Sequence, residues 1–187
     1  MKKSSNDCNF MRMNTVIRKA TADDFSAILE IYHKIHTEEE NGRATTGWIR
    51  GIYPEAPTIN DALARADLFV VECDGKITVS AILNQIQVDV YAGAAWQFPA
   101  PDNQVMVMHT LVVDPEQKGK GLGRTMEAFY ENYALQNGCH YLRIDTNVKN
   151  VAARHLYQKL GYKEIGIAPC TFNGLEGINL VLLEKKI

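Results

Sequence analysis

Residues 111–125 read Leu111-Val112-Val113-Asp114-Pro115-Glu116-Gln117-Lys118-Gly119-Lys120-Gly121-Leu122-Gly123-Arg124-Thr125. An apolar run extends from Val105 to Val113. It predicts a central strand, because both of its faces are apolar. Three glycines at alternate positions follow, and a helical pattern begins directly after them. Glycines let backbone N–H groups point into one concavity, and a helix start adds unpaired N–H groups and its positive dipole end. This strand, loop and helix therefore predict an anion-binding site.

The side chains of the glycine-rich loop favour a phosphate as the anion. Lys118, Lys120 and Arg124 supply positive charge that pairs well with phosphate oxygens. The P-loop pattern is absent, since no Gly-Lys-Ser/Thr follows at the required spacing. A dinucleotide fold is disfavoured because Arg124 and Met126 stand where its third glycine would be. A tight connector with solvated lysines stays the alternative interpretation of this loop taken alone.

Length and composition predict one domain of ordinary globular type. The chain has 187 residues, 46% hydrophobic and 22% charged, and we assign 1–14 to a flexible lead-in and 15–187 to a single domain. A net charge of −2 excludes a general basic footprint for nucleic acid or for an anionic membrane. No apolar run is long enough for a membrane span, and four widely spaced cysteines favour reduced thiols in a cytoplasmic protein without a structural metal.

Hydrophobic periodicity along the chain predicts a mixed α/β order. A hairpin turns at Asp74-Gly75, and the segment 85–104 is interpreted as a strand extension followed by a loop. Strands are predicted at 15–19, 68–73, 76–83, 105–113, 141–145 and 178–183. Helices are predicted at 22–40, 124–137 and 150–160. A further short helix is predicted to begin after a cap at Thr58 or Asn60 and to end at Ala66.

A second segment changes the interpretation of the glycine loop. It reads Asn150-Val151-Ala152-Ala153-Arg154-His155-Leu156-Tyr157-Gln158-Lys159-Leu160-Gly161-Tyr162. Together with Leu111–Pro115, Lys118–Gly123 and the opening at Ile17–Asp24, it resembles the GCN5-related N-acetyltransferases. Their cofactor motif is Arg/Gln-x-x-Gly-x-Gly/Ala. Lys118 departs from that motif and lacks the planar guanidinium fork, so we expect a simpler phosphate contact there.

The resemblance implies an α/β fold of the acyl-CoA N-acyltransferase type, with a central twisted mixed sheet, a splayed parallel strand pair and flanking helices. It implies an enzyme that transfers the acetyl group of acetyl-CoA to a primary amine by direct attack in a ternary complex. The splayed strands would be 105–113 and 141–145. A bulge near Leu111–Val113 would free backbone groups, and the N–H of Val112 or Val113 would stabilise the developing oxyanion.

The same resemblance implies which residues hold the cofactor, coenzyme A in its acetylated form. Backbone groups near the bulge would pair with the pantetheine arm, the glycine loop and the first helical turn would hold the pyrophosphate, and Asn150 would contact the arm. The full set comprises Leu111, Val112, Val113, Lys118, Gly119, Lys120, Gly121, Leu122, Gly123, Arg124, Thr125, Asn150, Ala153 and Tyr157.

Two residues are candidates for the proton transfers. Tyr157 matches the family's general acid for the leaving thiolate, although its apolar helical stripe also fits a core residue. His109 stands where the related arylalkylamine N-acetyltransferases have a histidine that acts through water; a strand histidine bonded to a carbonyl is the alternative. Glu72 and Asp145 are lesser candidates for the base, and proton loss to a water chain stays open.

The acceptor, the molecule that receives the acetyl group, is the least determined part. A small-molecule amine or a peptide amine fits, and a homodimer is common in the family. The acidic run Glu38–Glu40 could attract a cationic amine or be a solvated helix end. Some of Trp48, Tyr53, Tyr91, Trp96 and Phe98 could line the acceptor side. The rival functions are a non-catalytic acyl-CoA sensor of the same fold and an ATP-binding enzyme.

Overall fold

The computed structural model describes residues 14–172 and 174–187, which form a seven-stranded sheet with helices on both faces. The strand order is β1-β2-β3-β4-β5-β7-β6. The strands are β1 (Thr15–Lys19), β2 (Leu68–Cys73), β3 (Lys76–Asn84), β4 (Val105–Val113), β5 (Tyr141–Asn147), β6 (Lys163–Phe172) and β7 (Leu175–Lys186). The α-helices are α1 (Phe25–Glu40), α2 (Ala56–Arg65), α3 (Leu122–Gln136) and α4 (Val151–Lys159).

The two central strands separate part-way along their length. β4 and β5 are parallel, and only residues 105–107 pair with residues 141–143 within the described chain. All other neighbouring strands are antiparallel, and β5 keeps β7 as its partner along its whole length. The predicted mixed sheet with a splayed parallel pair is confirmed, and the gap between the strands opens toward their carboxyl ends.

The helices divide into two layers that cover opposite faces of the sheet. Met126 and Tyr130 of α3, with Tyr157 of α4, pack on one face. Ile28 of α1 and Ile59 of α2 pack on the other face. β4 is apolar on both sides up to residue 108, as its sequence predicts, because residues 106 and 108 face α3 while residues 105 and 107 pack in a third cluster around Tyr91.

A bulge in β4 reverses the direction of its side chains. Between the pairs Ser80↔Val112 and Ile82↔His109, β4 uses one residue more than β3. Thr110 takes up the extra residue with a φ of 50°. Side-chain parity therefore changes across the bulge. His109 shares the α1/α2 face with Val112, and not a face with Val113 as it would in a regular strand.

Several sequence predictions differ from the structure. The predicted strand extension in 85–104 is wrong, because the segment has only short 3-10 turns at Asp89–Tyr91 and Asp102–Gln104. α2 begins at Ala56, before the predicted caps, because a proline in the first turn of a helix loses no hydrogen bond there. The final strand is longer than predicted, and its edge partner β6 was not predicted.

Three other findings bear on the sequence predictions. The flexible lead-in assigned to 1–14 lies outside the described residues except for Asn14, and the single domain at 15–187 stays a prediction. Cys73, Cys139 and Cys170 are free thiols. Among the residues that the structure describes, none of the helices is both long and apolar enough to cross a membrane.

Candidate active site

The loop between β4 and α3, together with the first turn of α3, contains backbone N–H groups without a hydrogen-bond partner among the described residues. Gly119 and Gly121 adopt left-handed conformations, with φ values of 84° and 78° that favour glycine. The N–H groups of Gly119 and of residues 121–124 have no hydrogen-bond partner within the described chain. A Cβ added at Gly119 or Gly121 would meet no protein atom within 4 Å. The loop therefore presents a cradle of donors to open space, at the positive end of the α3 dipole.

Two predicted contributors to this cradle have their amides already engaged. The Lys120 N–H donates to the carbonyl of Gln117 at 3.4 Å, and the Thr125 N–H donates to the carbonyl of Gly121 at 3.0 Å. The N–H of Thr125 is therefore not one of the free donors, and a contact of Thr125 with the pyrophosphate stays a prediction. Lys118 and Arg124 keep exposed side chains beside the free amides, and the Lys120 ammonium bonds the side chain of Gln117 at 2.7 Å.

Asp114 fixes the start of this loop. Its carboxylate accepts from the N–H of Glu116 at 3.0 Å and pairs with the ammonium of Lys34 on α1 at 3.1 Å. The loop therefore leaves β4 in a set direction, which orients the amide cradle relative to the strand.

The bulge decides which backbone amides face the gap. The N–H of Asp114 donates to the carbonyl of Thr78 on β3 at 2.8 Å. Because hydrogen-bonding directions alternate along a strand, Val113 and Leu111 turn their N–H groups away from β3, toward the gap. The N–H of Val112 then faces β3, and its side chain packs under α1 and α2. Of the two oxyanion candidates, only Val113 has the required direction.

A cleft of about 530 Å³ occupies the gap between β4 and β5. Tyr157 enters its lining from the α3/α4 face, and His109 enters from the α1/α2 face. Leu111, Asn150 and Ala153, which the sequence predicts as cofactor-binding residues, also line it, whereas Val112, Val113 and residues 118–125 lie outside its lining. The side-chain oxygen Oδ1 of Asn150 caps α4 by accepting from the N–H of Ala153 at 3.2 Å, and the side-chain nitrogen Nδ2 has no partner among the described residues.

Tyr157 has structural features that fit both interpretations left open by the sequence. Its ring packs in the core against Tyr162, with ring centroids 5.6 Å apart. Its hydroxyl has no hydrogen-bond partner within residues 14–172 and 174–187, and the side chain lines the cleft. Burial raises the pKa of Tyr157, so its hydroxyl keeps its proton at neutral pH and can donate a hydrogen bond into the cleft.

His109 is partly buried, and among the described residues only its Nε2 has a hydrogen-bond partner. Nε2 lies 3.1 Å from the side-chain oxygen of Asn84 and 3.0 Å from the carbonyl of Ile86. Burial lowers the pKa of His109 below its usual value, so the ring is neutral at pH 7. Neutral imidazole in a substrate-sized cleft has the chemistry of a general base.

The two lesser base candidates lie in different places. Asp145 lines the cleft, accepts a hydrogen bond from the hydroxyl of Tyr91 at 2.8 Å, and has its pKa raised by burial. Glu72 lies outside the cleft, in an ion pair of 2.9 Å with Arg18. The structure therefore brings Asp145, but not Glu72, to the same cleft as His109 and Tyr157.

Comparisons with known proteins agree with this geometry. Residues 25–162 match the model of the acetyltransferase (GNAT) family. The chain belongs to the GNAT family. An uncharacterized N-acetyltransferase of Methanocaldococcus jannaschii is 27% identical over 175 residues, or 91% of each chain. The enzyme is thus an acyltransferase of the N-acetyltransferase class.

Solved structures share the fold of this GNAT enzyme. A GNAT-family acetyltransferase from Streptococcus agalactiae superposes with a TM-score of 0.77 at 21% identity, covering 92% of this chain and 95% of its own. The protein yncA from Salmonella typhimurium, solved with its cofactor acetyl-CoA, has a TM-score of 0.65 at 20% identity and covers 92% and 93% of the two chains.

Aromatic side chains line part of the GNAT cleft, and for two of them the sequence suggests a place on the acceptor side. Trp48 and Tyr53 meet edge to face at 6.0 Å, and Tyr53 meets Phe172 of β6 at 4.9 Å. Ile52 and Ile86 line the mouth and are 42% and 54% exposed. Trp48 and Tyr53 were predicted as candidates for this side. Phe172 was not, because β6 has a mainly exposed pattern without a strong strand signal.

The remaining acceptor candidates serve the structure. Tyr91, Trp96 and Phe98 lie outside the lining of the cleft. The hydroxyl of Tyr91 nevertheless donates a hydrogen bond to the carboxylate of Asp145, which is part of that lining. The acidic run Glu38–Glu40 is neither a free patch nor a merely solvated helix end. Its carboxylates accept from the side chain of Arg43, the backbone of Thr46 and Gly47, and the side chain of Arg50, at 2.6–3.0 Å. These contacts hold the loop that carries Trp48.

Proposed function

We propose that this GNAT enzyme transfers the acetyl group of acetyl-CoA to a primary amine by direct attack, while both substrates occupy the cleft. The observation that carries the proposal is that β4, whose His109 and Leu111 line the same cleft as Tyr157, leads directly into the loop with the unpartnered amides at Gly119 and 121–124. Phosphate groups fit the amide cradle, because its donors and helix dipole are not neutralised by the protein.

Acetyl-CoA supplies the acetyl group as a thioester, which an amine can attack without a covalent enzyme intermediate. His109 accepts a proton from the acceptor nitrogen as the new C–N bond forms. The N–H of Val113 donates to the carbonyl oxygen that gains negative charge. Tyr157 donates a hydrogen bond to the sulfur as the C–S bond breaks, and that sulfur leaves as a thiol after it takes up a proton.

The acceptor half of the cleft favours an amine attached to an apolar body. Trp48, Tyr53 and Phe172 offer ring surfaces, and Ile52 and Ile86 add apolar area at the mouth. The cationic side chain in the described lining, Arg65, is engaged by Asp67 at 2.7 Å. Both a small-molecule amine and a peptide amine fit this description.

A thiol-release assay over a panel of primary amines tests the proposal against the sensor alternative. The panel includes alkyl amines, aryl-alkyl amines, amino acids and peptides, each with acetyl-CoA. We expect amine-dependent release of coenzyme A, with formation of the acetylated amine confirmed by mass spectrometry. Binding of acetyl-CoA without amine-dependent release for any member of the panel would instead support an acyl-CoA sensor.

Replacement of His109 with alanine tests the proposed base. In the wild type we expect kcat/KM to fall at acidic pH, below the usual pKa of an imidazole, because burial lowers the pKa of His109 and the ring is protonated only there. In His109→Ala we expect kcat at pH 7.5 to fall by about 100-fold and this acidic limb to disappear. His140→Ala, at an exposed histidine, is the control and keeps the wild-type profile. An acidic limb that persists in His109→Ala would move the role of base to Asp145.

A further inference from the structure

We propose that Asn84 and Asp67 act as positioning residues that hold His109 in the tautomer with its proton on Nε2, so that the lone pair of Nδ1 accepts the acceptor's proton. This inference rests on the proposed function and specifies which atom of its base reacts. It concerns a hydrogen-bonded chain, Arg65–Asp67–Asn84–His109, that connects α2 and β3 to β4.

The orientation of the Asn84 amide is fixed from two sides. Its nitrogen donates to the carboxylate of Asp67 at 2.8 Å, and a carboxylate can only accept from it. Its oxygen accepts from the backbone N–H of Ile86 at 2.9 Å, and that group can only donate. A flipped amide would place two acceptors against each other and two donors against each other. The atom that faces His109 is therefore the oxygen.

Nε2 of His109 consequently faces two acceptors. They are the Asn84 oxygen at 3.1 Å and the carbonyl of Ile86 at 3.0 Å. Neither can donate, so Nε2 has to carry a proton in both the neutral and the charged ring. The single lone pair of the neutral ring is then on Nδ1, which has no hydrogen-bond partner among the described residues.

The chain behind Asn84 is anchored by an ion pair. The buried carboxylate of Asp67 accepts from Nε of Arg65 at 2.7 Å. The backbone carbonyl of Asp67 accepts from the N–H of Leu83 at 2.9 Å. These contacts hold the Asp67 carboxylate in one orientation, which prevents the Asn84 amide from rotating.

The charges around His109 set the sign of the expected pH effects. Burial is the largest influence on the pKa of His109 and lowers it. The negative charge of Asp67 favours the charged imidazole, whereas the positive charge of Arg65 opposes it. Asp145 and Asp61 also line the cleft that the ring faces. When Nδ1 accepts a proton from the acceptor nitrogen, the new positive charge is shared toward Nε2–H and stabilised through Asn84 by Asp67.

Nitrogen NMR of protein labelled with 15N in its histidine rings tests the tautomer directly, without turnover. The signals of His109 are identified by their loss in His109→Ala. At pH 7.5 we expect a protonated Nε2 and an unprotonated Nδ1 in the wild type, and a mixture of both tautomers in Asn84→Leu. A wild-type ring protonated on Nδ1, or an unchanged tautomer in Asn84→Leu, would overturn the inference.

Kinetics with any amine that is acetylated provide a second test. We expect Asn84→Leu to lower kcat about tenfold at little change in the KM for the amine. We expect Asp67→Asn to move the acidic limb to lower pH, because it removes the negative charge that favours imidazolium. Asp89→Asn, the same change at an exposed residue outside the cleft, is the control.

The two tests separate the inference from the function on which it rests. An acidic limb in Asp67→Asn that coincides with that of Asp89→Asn would overturn the positioning role, even in an active enzyme. A protein that acetylates no amine but has the expected tautomers would contradict the proposed function alone. Thermal unfolding of each variant verifies that it is folded before either result is used.

Discussion

Gly121→Glu is expected to weaken the binding of acetyl-CoA by at least about 100-fold, which corresponds to losing one or two charge-assisted hydrogen bonds of about 1.5–3 kcal/mol each. A Cβ at residue 121 meets no protein atom within 4 Å, so the new side chain extends into the space beside the free amides. Its carboxylate competes for the donors that we assign to the pyrophosphate and repels phosphate groups. Isothermal titration calorimetry with acetyl-CoA measures the change.

Gly75→Glu is the matched control for this prediction. Gly75 lies in the turn between β2 and β3, with a φ of 79° and no atom within 4 Å of an added Cβ, against a φ of 78° at Gly121. Both variants therefore carry a similar left-handed strain of about 1–2 kcal/mol, and we expect similar losses of thermal stability. Only Gly121→Glu should lose affinity. Equal affinity of the two variants for acetyl-CoA would contradict the assignment of the amide cradle.

Tyr157→Phe is expected to lower kcat by about 100-fold, the lower end of what a general acid contributes. The affinity for acetyl-CoA should change little, because the ring that lines the cleft is retained. Thermal stability should also hold, since the hydroxyl has no hydrogen-bond partner within the described chain. Steady-state and single-turnover rates, measured by release of coenzyme A, determine whether the chemical step is the one affected.

Tyr162→Phe provides the same chemical change one ring away. Tyr162 packs edge to face against Tyr157, but it is not part of the lining of the cleft. We expect its removal to leave kcat near the wild-type value. If Tyr157→Phe behaves like Tyr162→Phe, the hydroxyl of Tyr157 has no role in proton transfer, and Tyr157 is a core residue only.

Features determined by neighbouring residues could be predicted from the sequence. The turn at Asp74-Gly75, the strand at 105–113 and the glycine loop before α3 are each indicated by a pattern of neighbouring residues. The same holds for the candidate cofactor side, because the amide donors belong to the loop itself. The family motifs added the expectation of a splayed strand pair, which the pairing of β4 with β5 confirms.

Features determined by distant parts of the chain could not be predicted. The bulge at Thr110 depends on the register between β3 and β4. The bulge determines which face of the sheet His109 occupies. It also determines that the N–H of Val113, and not that of Val112, faces the gap. The role inferred for Asn84 depends on Asp67 and His109, which meet only in the folded sheet. Alternating apolar residues at 86, 88 and 90 favoured a strand, but this segment forms a short 3-10 turn whose Tyr91 is buried against Val105 and Val107 of β4.

A crystal structure of the complex with acetyl-CoA tests the central claim most directly. We predict that pyrophosphate oxygens accept hydrogen bonds from the N–H groups of Gly119 and of residues 121–124, and that the thioester lies in the gap between Val113 and the hydroxyl of Tyr157. A complex in which these amides stay without a ligand, and the thioester is bound away from Tyr157, would contradict the account.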